Sequence, residues 1–162
     1  MKNQLADQPA SMEAGRQYAM HFVLFFDAMA KALALTSSDM KCLTLLHCYG
    51  PMTPGKLASC ADLTTGGVTK VLDRLESRNF IRRESAAGDR RKQMIFTTPP
   101  TAVHRNKQNQ IDIHSKLAAL ADAYTEAEFA VVVDFMQRGT EVLKGMTTQL
   151  REQSEIKKGG NV

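Results

Sequence analysis

The sequence predicts a mostly α-helical protein with one small β-hairpin near its middle. Three observations support that class. Apolar residues recur at helical spacing in six segments. Helix-capping residues and prolines stand where those segments begin. One stretch between residues 80 and 97 alternates and is interrupted by a turn-like tip.

In chain order, Met1 to Met12 is expected to be a loose tail. A helix follows from near Glu13 to about Leu33, with Phe22, Phe25, Phe26, Met29 and Leu33 at helical spacing. A second begins at a Ser37/Ser38 cap and runs through Met40, Leu43, Leu45 and Leu46 to Tyr49, where Gly50-Pro51 stops it. Thr53-Pro54 reads as an N-cap followed by proline at the first helical position, opening a short helix with Leu57, Ala58 and Ala61. Asp62-Leu63 is a turn. Thr64 caps the next helix, whose Val68, Val71, Leu72 and Leu75 form the stripe of a helix packed on one side. Asn79 is one of the few residue types tolerated in a left-handed C′ conformation.

Phe80 to Glu84 and Lys92 to Thr97 are read as the two strands of a hairpin, with Met94 and Phe96 on one face and Ala86 to Arg90 at the tip. Thr98-Pro99-Pro100 ends it and leads into a helix expected over 101–123. The last helix starts near Thr125, because Thr125-Glu126-Ala127-Glu128 fits a capping box. From Phe129 to Met136 that helix is apolar almost all round, so it must touch more than one partner. Three regions are expected: 1–34, a tail and a long helix; 35–98, a central lobe of short helices and the hairpin; 99–162, two further long helices.

The composition excludes several classes. With 162 residues, the chain can bury a core without a disulfide or metal staple. Hydrophobic residues at 43% and charged residues at 23% rule out wholesale disorder. The N-terminus lacks a signal-peptide apolar core, and the apolar run Phe22 to Phe26 is far too short to span a membrane. The expectation is a cytoplasmic protein with reduced thiols and no membrane partner. Cys42, Cys48 and Cys60 form no CxxC pair. Cys42 and Cys48 are expected in the core. His21, His47, His104 and His114 form no metal motif, and Asp112 and His114 are two apart and face different ways on a helix. Gly66-Gly67 is not a phosphate loop, because no GxxxxGK[ST] surrounds it. Neither a cofactor nor enzymatic activity is expected.

Charge is informative through its position. The net charge is +4. Residues 64–93 hold eight basic side chains against four acidic ones, and the rest of the chain is balanced at 13 each. The whole excess therefore lies on the second short helix and the hairpin behind it. Two short helices across a turn, followed by a basic hairpin, form a winged helix-turn-helix pattern. A DNA major groove ~12 Å wide admits one helix, whose N-terminal residues reach base edges. On the helix after Thr64, the exposed face carries Thr65, Gly66, Gly67, Thr69, Lys70, Asp73 and Arg74. The two glycines allow close approach of the backbone, the threonines offer hydroxyls, and Lys70 and Arg74 supply charge. Gly88-Asp89-Arg90-Arg91 puts guanidinium groups at the end of a lever, and narrow minor grooves attract Arg.

The run from Leu57 to Glu76, LASCADLTTGGVTKVLDRLE, resembles the helix-turn-helix of MarR-type (multiple antibiotic resistance regulator) repressors. So does its continuation through Ile81-Arg82-Arg83, Asp89-Arg90-Arg91 and Phe96-Thr97-Thr98-Pro99. The match is dense over 53–100 and is one of order and length over the flanking helices. It implies a homodimer whose first and last two helices build the interface, a recognition helix in the major groove and a wing in the minor groove. It assigns Asp89 as the brace of a wing Arg and shares the remaining wing roles between Arg90 and Arg91. Asn79 stands where the family usually has Gly. Cys60 occupies a position that is usually polar and exposed. Some relatives sense oxidants through a Cys in the first helix, and this chain has none between Met1 and Met40. The resemblance also implies a small aromatic or phenolic effector, for which Tyr18, His21, Phe25 and His47 are among the residues that could line a cleft.

The expected function is therefore a sequence-specific transcriptional regulator of double-stranded DNA. It would be a ligand-responsive repressor binding a pseudo-palindromic operator as a homodimer. The alternative is a winged-helix protein-interaction module without specific DNA binding.

Overall fold

A computed structural model describes residues 9–86, 89–99 and 113–159, with side chains over 11–85, 93–99 and 115–154. Helix α1 spans Pro9–Ala32, so part of the expected tail is helical. Helices α2, Ser37–Tyr49, α3, Pro54–Ala61, and α4, Thr65–Ser77, follow at short intervals. Strands β1, Ile81–Ala86, and β2, Asp89–Thr97, form an antiparallel hairpin. Helices α5, Ile113–Ala121, and α6, Glu126–Gly159, complete the described chain. The chain divides into two units, Met1–Gln110 and Ile111–Val162.

Local chemistry explains most boundaries in the first unit. Thr36, and not Ser37 or Ser38, caps α2: its hydroxyl accepts from the Asp39 N–H at 3.2 Å, and its own N–H donates to Asp39 Oδ2 at 2.9 Å. That reciprocal pair is a capping box one residue earlier than the sequence pattern alone places the cap. Gly50, at φ 75°, ends α2. Thr53 caps α3 with Pro54 in its first turn, as expected. Asp62 turns the chain in the left-handed region at φ 56°, and its N–H reaches the carbonyls of Ala58 and Ser59. Thr64 caps α4 by accepting from the Gly67 N–H at 3.1 Å. Asn79 takes φ 59°, and the Phe80 N–H closes back onto the Leu75 carbonyl at 2.9 Å.

The core is built where these elements meet. Leu57 and Ala61 of α3, Leu75 of α4, Cys42 of α2 and Ile95 of β2 are fully buried. Val68, Val71 and Leu72 complete the α4 stripe. The hairpin presents Ile95 to this core. Met94 and Phe96, expected together on one face, are half-buried on the other side of the pleat. The Ile95 N–H bonds to the Met52 carbonyl at 2.9 Å, pinning the α2–α3 connection to the hairpin. Strand β2 is longer than expected and includes Asp89, Arg90 and Arg91, and a register irregularity lies between Ser85 and Ala86. Cys48, expected in the core, is exposed near the end of α2. Its position is out of phase with Cys42, Leu43 and Leu46, which take the buried side.

Ala34 follows α1 at φ 50°, a conformation that costs an L-residue with a Cβ ~1–2 kcal/mol. Ala34→Gly is expected to raise stability by about 1 kcal/mol, read as a higher urea midpoint at unchanged m-value. A lower midpoint would show that the Ala34 methyl is needed by its surroundings.

In the second unit, Thr125 and Glu128 form the expected capping box: the Thr125 N–H donates to Glu128 Oε2 at 2.9 Å, and the Glu128 N–H donates back to Thr125 Oγ1 at 3.3 Å. The hydrogen bond from the Thr125 hydroxyl, and then that from its N–H, hold the Glu128 carboxyl below the usual carboxylate range. Val131 to Val133 are helical, as the flanking residues predict. The expected helix over 101–123 is described only from Ile113 to Ala121, and its earlier part lies outside the described residues. Within this unit Val131, Phe135, Leu143 and Leu150 are each more than 60% exposed. On α1, Tyr18, Met20, Phe22, Val23 and Leu24 are likewise about half exposed. Among the described residues, no single helix is long and apolar enough to cross a membrane.

Candidate nucleic-acid interface

Helix α4 is held by α2, α3 and the hairpin, and its outer face is left open. With ~100° between successive residues, Val68, Val71, Leu72 and Leu75 gather on one side. Gly66, Lys70, Asp73 and Ser77 then fall opposite, with Thr65 and Thr69 on one flank and Arg74 on the other. Thr65, Gly66, Thr69 and Lys70 are all exposed, in a continuous strip from the first turn of the helix. Gly67 is half-buried against the cap.

The polar groups on this face are not equally available. The Thr69 hydroxyl donates to the Thr65 carbonyl at 2.9 Å. Its proton is used within the helix, so toward a ligand it offers an acceptor and a methyl group. That suits a base-edge amino group, such as adenine N6 or cytosine N4, and not a phosphate oxygen.

Arg74 is committed elsewhere. Its guanidinium forks onto Asp39, with Nη2 to Oδ1 at 2.7 Å and Nε to Oδ2 at 3.2 Å. The Asp39 side chain is 2% exposed and the Arg74 side chain 47%. Burial pushes the Asp39 carboxyl up. The Arg74 hydrogen bonds and those from Thr36 outweigh that and hold it below its ordinary value. The same pairing, opposed by a smaller desolvation effect, raises Arg74. The pair ties the start of α2 to the last turn of α4.

Other arginines of the basic segment also serve the fold. Arg78 donates to the carbonyls of Ala34 and Leu33, the latter at 2.6 Å, and its guanidinium lies 5.5 Å from the Phe80 ring centre. It thereby satisfies two carbonyls just beyond the end of α1. Arg83 of β1 reaches Asp73 at 2.6 Å and Glu76 at 3.3 Å, fastening the hairpin to α4 and neutralising the carboxylates near its outer face. Arg82 pairs with Glu84, donates to the Thr97 carbonyl at 3.2 Å and lies over Phe96 at 5.0 Å. Among the described cations of residues 64–93, Lys70 alone projects outward without such a partner. Asp89, Arg90 and Arg91 belong to β2, and their side chains lie outside those described.

Sequence reasoning missed Asp39, Arg78 and Arg83 as the residues that set the attitude of α4. A signal existed for Asp39: it stands three residues after Thr36, the spacing of a cap. Nothing local marks a partner 35 residues away.

The remaining candidates are less connected. Cys42 is fully buried, and burial followed by the Asp39 charge pushes its thiol up to about 11, so it is inert at neutral pH. Cys60 is half-buried. His47 donates through Nδ1 to the Leu43 carbonyl at 2.9 Å, and Tyr18 lies against Phe22 with ring centres 5.8 Å apart. No hydrogen bond or ring contact joins any two of Tyr18, His21, Phe25 and His47 among the described side chains. Nor do three His, Cys, Asp or Glu side chains converge among those residues as a metal site would require.

Comparison with known proteins gives a consistent picture. A MarR family model matches residues 35–92. The HTH-type transcriptional regulator YcgE of Bacillus subtilis is 31% identical over 149 residues, covering 90% of this chain and 94% of that protein. The multiple antibiotic resistance protein MarR of Salmonella typhimurium is 30% identical over 88 residues, covering 52% of this chain and 61% of that one. In fold, a MepR mutant from a multidrug-resistant S. aureus clinical isolate superposes with a TM-score of 0.62 at 17% identity, covering 82% of this chain and 96% of that one. A transcriptional regulator of Thermotoga maritima superposes at 0.54 with 14% identity, covering 87% and 99%.

Proposed function

Since this chain belongs to the MarR family of winged helix-turn-helix transcriptional regulators, and is no enzyme, we propose that it is a cytoplasmic, ligand-responsive repressor that binds a pseudo-palindromic DNA operator as a homodimer. One observation carries the DNA reading. The outward strip of α4 combines Thr65, Gly66, Thr69 and Lys70, while its carboxylates are neutralised from behind by Arg83. Thr65 and Thr69 read base edges, Lys70 contacts phosphate, and the first turn of the helix at Gly66 approaches the duplex. Arg74 positions the helix through Asp39. Arg90 and Arg91, braced by Asp89, enter the minor groove as the wing. Two such helices read half-sites about one helical turn, ~10 bp, apart.

The exposed apolar rows on α1 in one unit, and on α5 and α6 in the other, each support the dimer, because large apolar patches are rarely left in water. The free protein is expected to sediment near twice 17.9 kDa. A clean monomer at micromolar concentration would contradict the dimer.

A small aromatic or phenolic effector would release DNA by favouring a different spacing of the two recognition helices. Fluorescence anisotropy tests the whole reading, using duplex DNA from upstream of the protein's own coding region and a scrambled duplex, at two salt concentrations. Tight, salt-sensitive binding that prefers the upstream duplex is expected, and aromatic acids or phenols should weaken it. Equal, weak binding to both duplexes would point to a protein-binding winged helix. No response to any such compound would remove the effector.

A further inference from the structure

We propose that the α1–α2 elbow is a two-state joint, with Arg78 as the catch that holds it bent. This stands apart from the DNA reading, and its test needs neither DNA nor a dimer. The chain bends by 107° between α1 and α2. Nothing in the local sequence asks for that bend. Residues 28–35 read AMAKALAL, and no Gly or Pro occurs from Arg16 to Tyr49. Ala and Leu are among the best helix formers, so on local preference α1 continues through Leu35. It stops at Ala32 instead, and Ala34 is left-handed at φ 50°. The other described non-glycine residues at positive φ are Asp62 and Asn79, whose short polar side chains suit that conformation. Ala34 has no such group.

The bend is held from outside the segment. The Ala34 N–H returns to the Lys31 carbonyl at 2.9 Å and the Leu35 N–H to the Ala30 carbonyl at 2.8 Å. That is a Schellman pattern, in which Gly usually stands where Ala34 does. The carbonyls of Leu33 and Ala34 are both taken by the Arg78 guanidinium, from more than 40 residues away. In a helix continued past Leu35, those two carbonyls would accept from the N–H groups of Ser37 and Ser38. Arg78 therefore occupies the acceptors that continuation needs. Burial of Leu35 and the Thr36–Asp39 capping box also favour the bent state. Local preference and tertiary contact pull the same three residues in opposite directions, the condition for a bistable element. Arg78 is the contact most readily given up. It is exposed and directly follows α4, so displacing the end of α4 draws the guanidinium off the carbonyls. Once it is released, Ala34 turns right-handed, α1 gains Leu33 to Leu35, and the lobe of α2, α3, α4 and the hairpin swings on α1.

The experiment compares wild type with Arg78→Gln, Arg78→Lys and the double variant Ala34→Gly/Arg78→Gln, each checked for folding by far-UV circular dichroism. The backbone shifts of Ala34 in alanine-labelled protein report its handedness, its signal being the one lost in Ala34→Gly. Spin labels on the exposed Cys48 and on Gln17→Cys, in a Cys60→Ser background diluted with unlabelled protein, report the angle between α1 and α2 within one protomer. Arg78→Gln should stay folded, move Ala34 to right-handed helical shifts and raise a second label distance about ten-fold in population. Arg78→Lys should fall between it and wild type, because one ammonium does not fork onto two carbonyls. Ala34→Gly in the double variant should return the first distance, since Gly favours the left-handed turn over continued helix. A folded Arg78→Gln in which Ala34 stays left-handed, or in which the label distance is unchanged, overturns the inference. Loss of the fold in both Arg78 variants overturns it too, because Arg78 would then be a fixed part of the fold and not a catch.

Discussion

Arg74→Ala is expected to lower the unfolding free energy by about 2 kcal/mol at neutral pH, although Arg74 sits on the helix proposed to read DNA. The reason is Asp39, whose carboxylate is almost fully enclosed and takes two of its hydrogen bonds from that guanidinium. Removing one partner of a fully buried pair costs ~3–5 kcal/mol, because the other charge is left without compensation. Here the Arg74 side is half open to water, and Thr36 still donates to Asp39, so the expected cost is smaller. Asp39→Asn should cost less than Arg74→Ala, since a half-exposed guanidinium recovers solvent and a buried carboxylate does not. A double-mutant cycle measures the coupling between them.

The pH dependence has a definite sign. The folded-state pKa of Asp39 lies below its ordinary value, so the group contributes stability above the unfolded-state value of ~3.9 and loses it as pH falls through the folded value. In Arg74→Ala, burial remains while the Arg74 hydrogen bonds are gone, which moves the carboxyl up. The gap in stability between wild type and variant is therefore full near neutrality and shrinks as pH falls through the variant's raised folded-state value toward the lower one of the wild type. Urea midpoints at pH 7 and pH 3.5 test this. A constant gap would remove Asp39 from the explanation.

Replacing both Arg90 and Arg91 by alanine is expected to have the largest effect on DNA binding. Removing one phosphate-binding cation lowers the slope of log affinity against log salt by about one unit. The double variant should therefore bind the upstream duplex at least ten-fold more weakly at low salt, with a visibly flatter salt dependence and an unchanged urea midpoint. An unchanged slope would sink the wing assignment. Lys70→Ala should share this pattern in smaller measure, because among the described side chains it projects from the surface without a protein partner. Arg74→Ala should not: its effect falls mainly on stability. The contrast separates cations that touch DNA from cations that hold the reading helix in place.

Local signals explain how much of this is legible in the sequence. A cap is a contact between residues three apart, so Thr53, Thr64 and Thr125 mark helix starts from sequence alone. Asn79 and the Val68–Leu75 stripe are legible for the same reason: backbone sterics and helical period act over a single turn. The departures from expectation also have local causes. Thr36, Ser37 and Ser38 are all competent caps, and only the reciprocal bond with Asp39 selects the first. In the hairpin, Met94, Ile95 and Phe96 are all apolar, and the pleat alone does not say which face turns inward. The bond between Ile95 and Met52 decides it. Cys48 and Cys42 differ only in helical phase.

The sequence by itself determined the element order, the winged helix-turn-helix pattern, the position of the charge excess and the family. Each follows from short-range periodicity, capping chemistry or motif. Tertiary structure alone decided what the charges do. Four of the basic residues counted toward a DNA surface, Arg74, Arg78, Arg82 and Arg83, have partners within the protein, at Asp39, the Leu33 and Ala34 carbonyls, Glu84 and Asp73 respectively. It also decided that Gly67 serves the cap while Gly66 is open. Composition counts a guanidinium wherever it lies. Whether it faces a carboxylate 35 residues away or an approaching duplex depends on how helices α2 and α4 pack, and no local pattern encodes that distance.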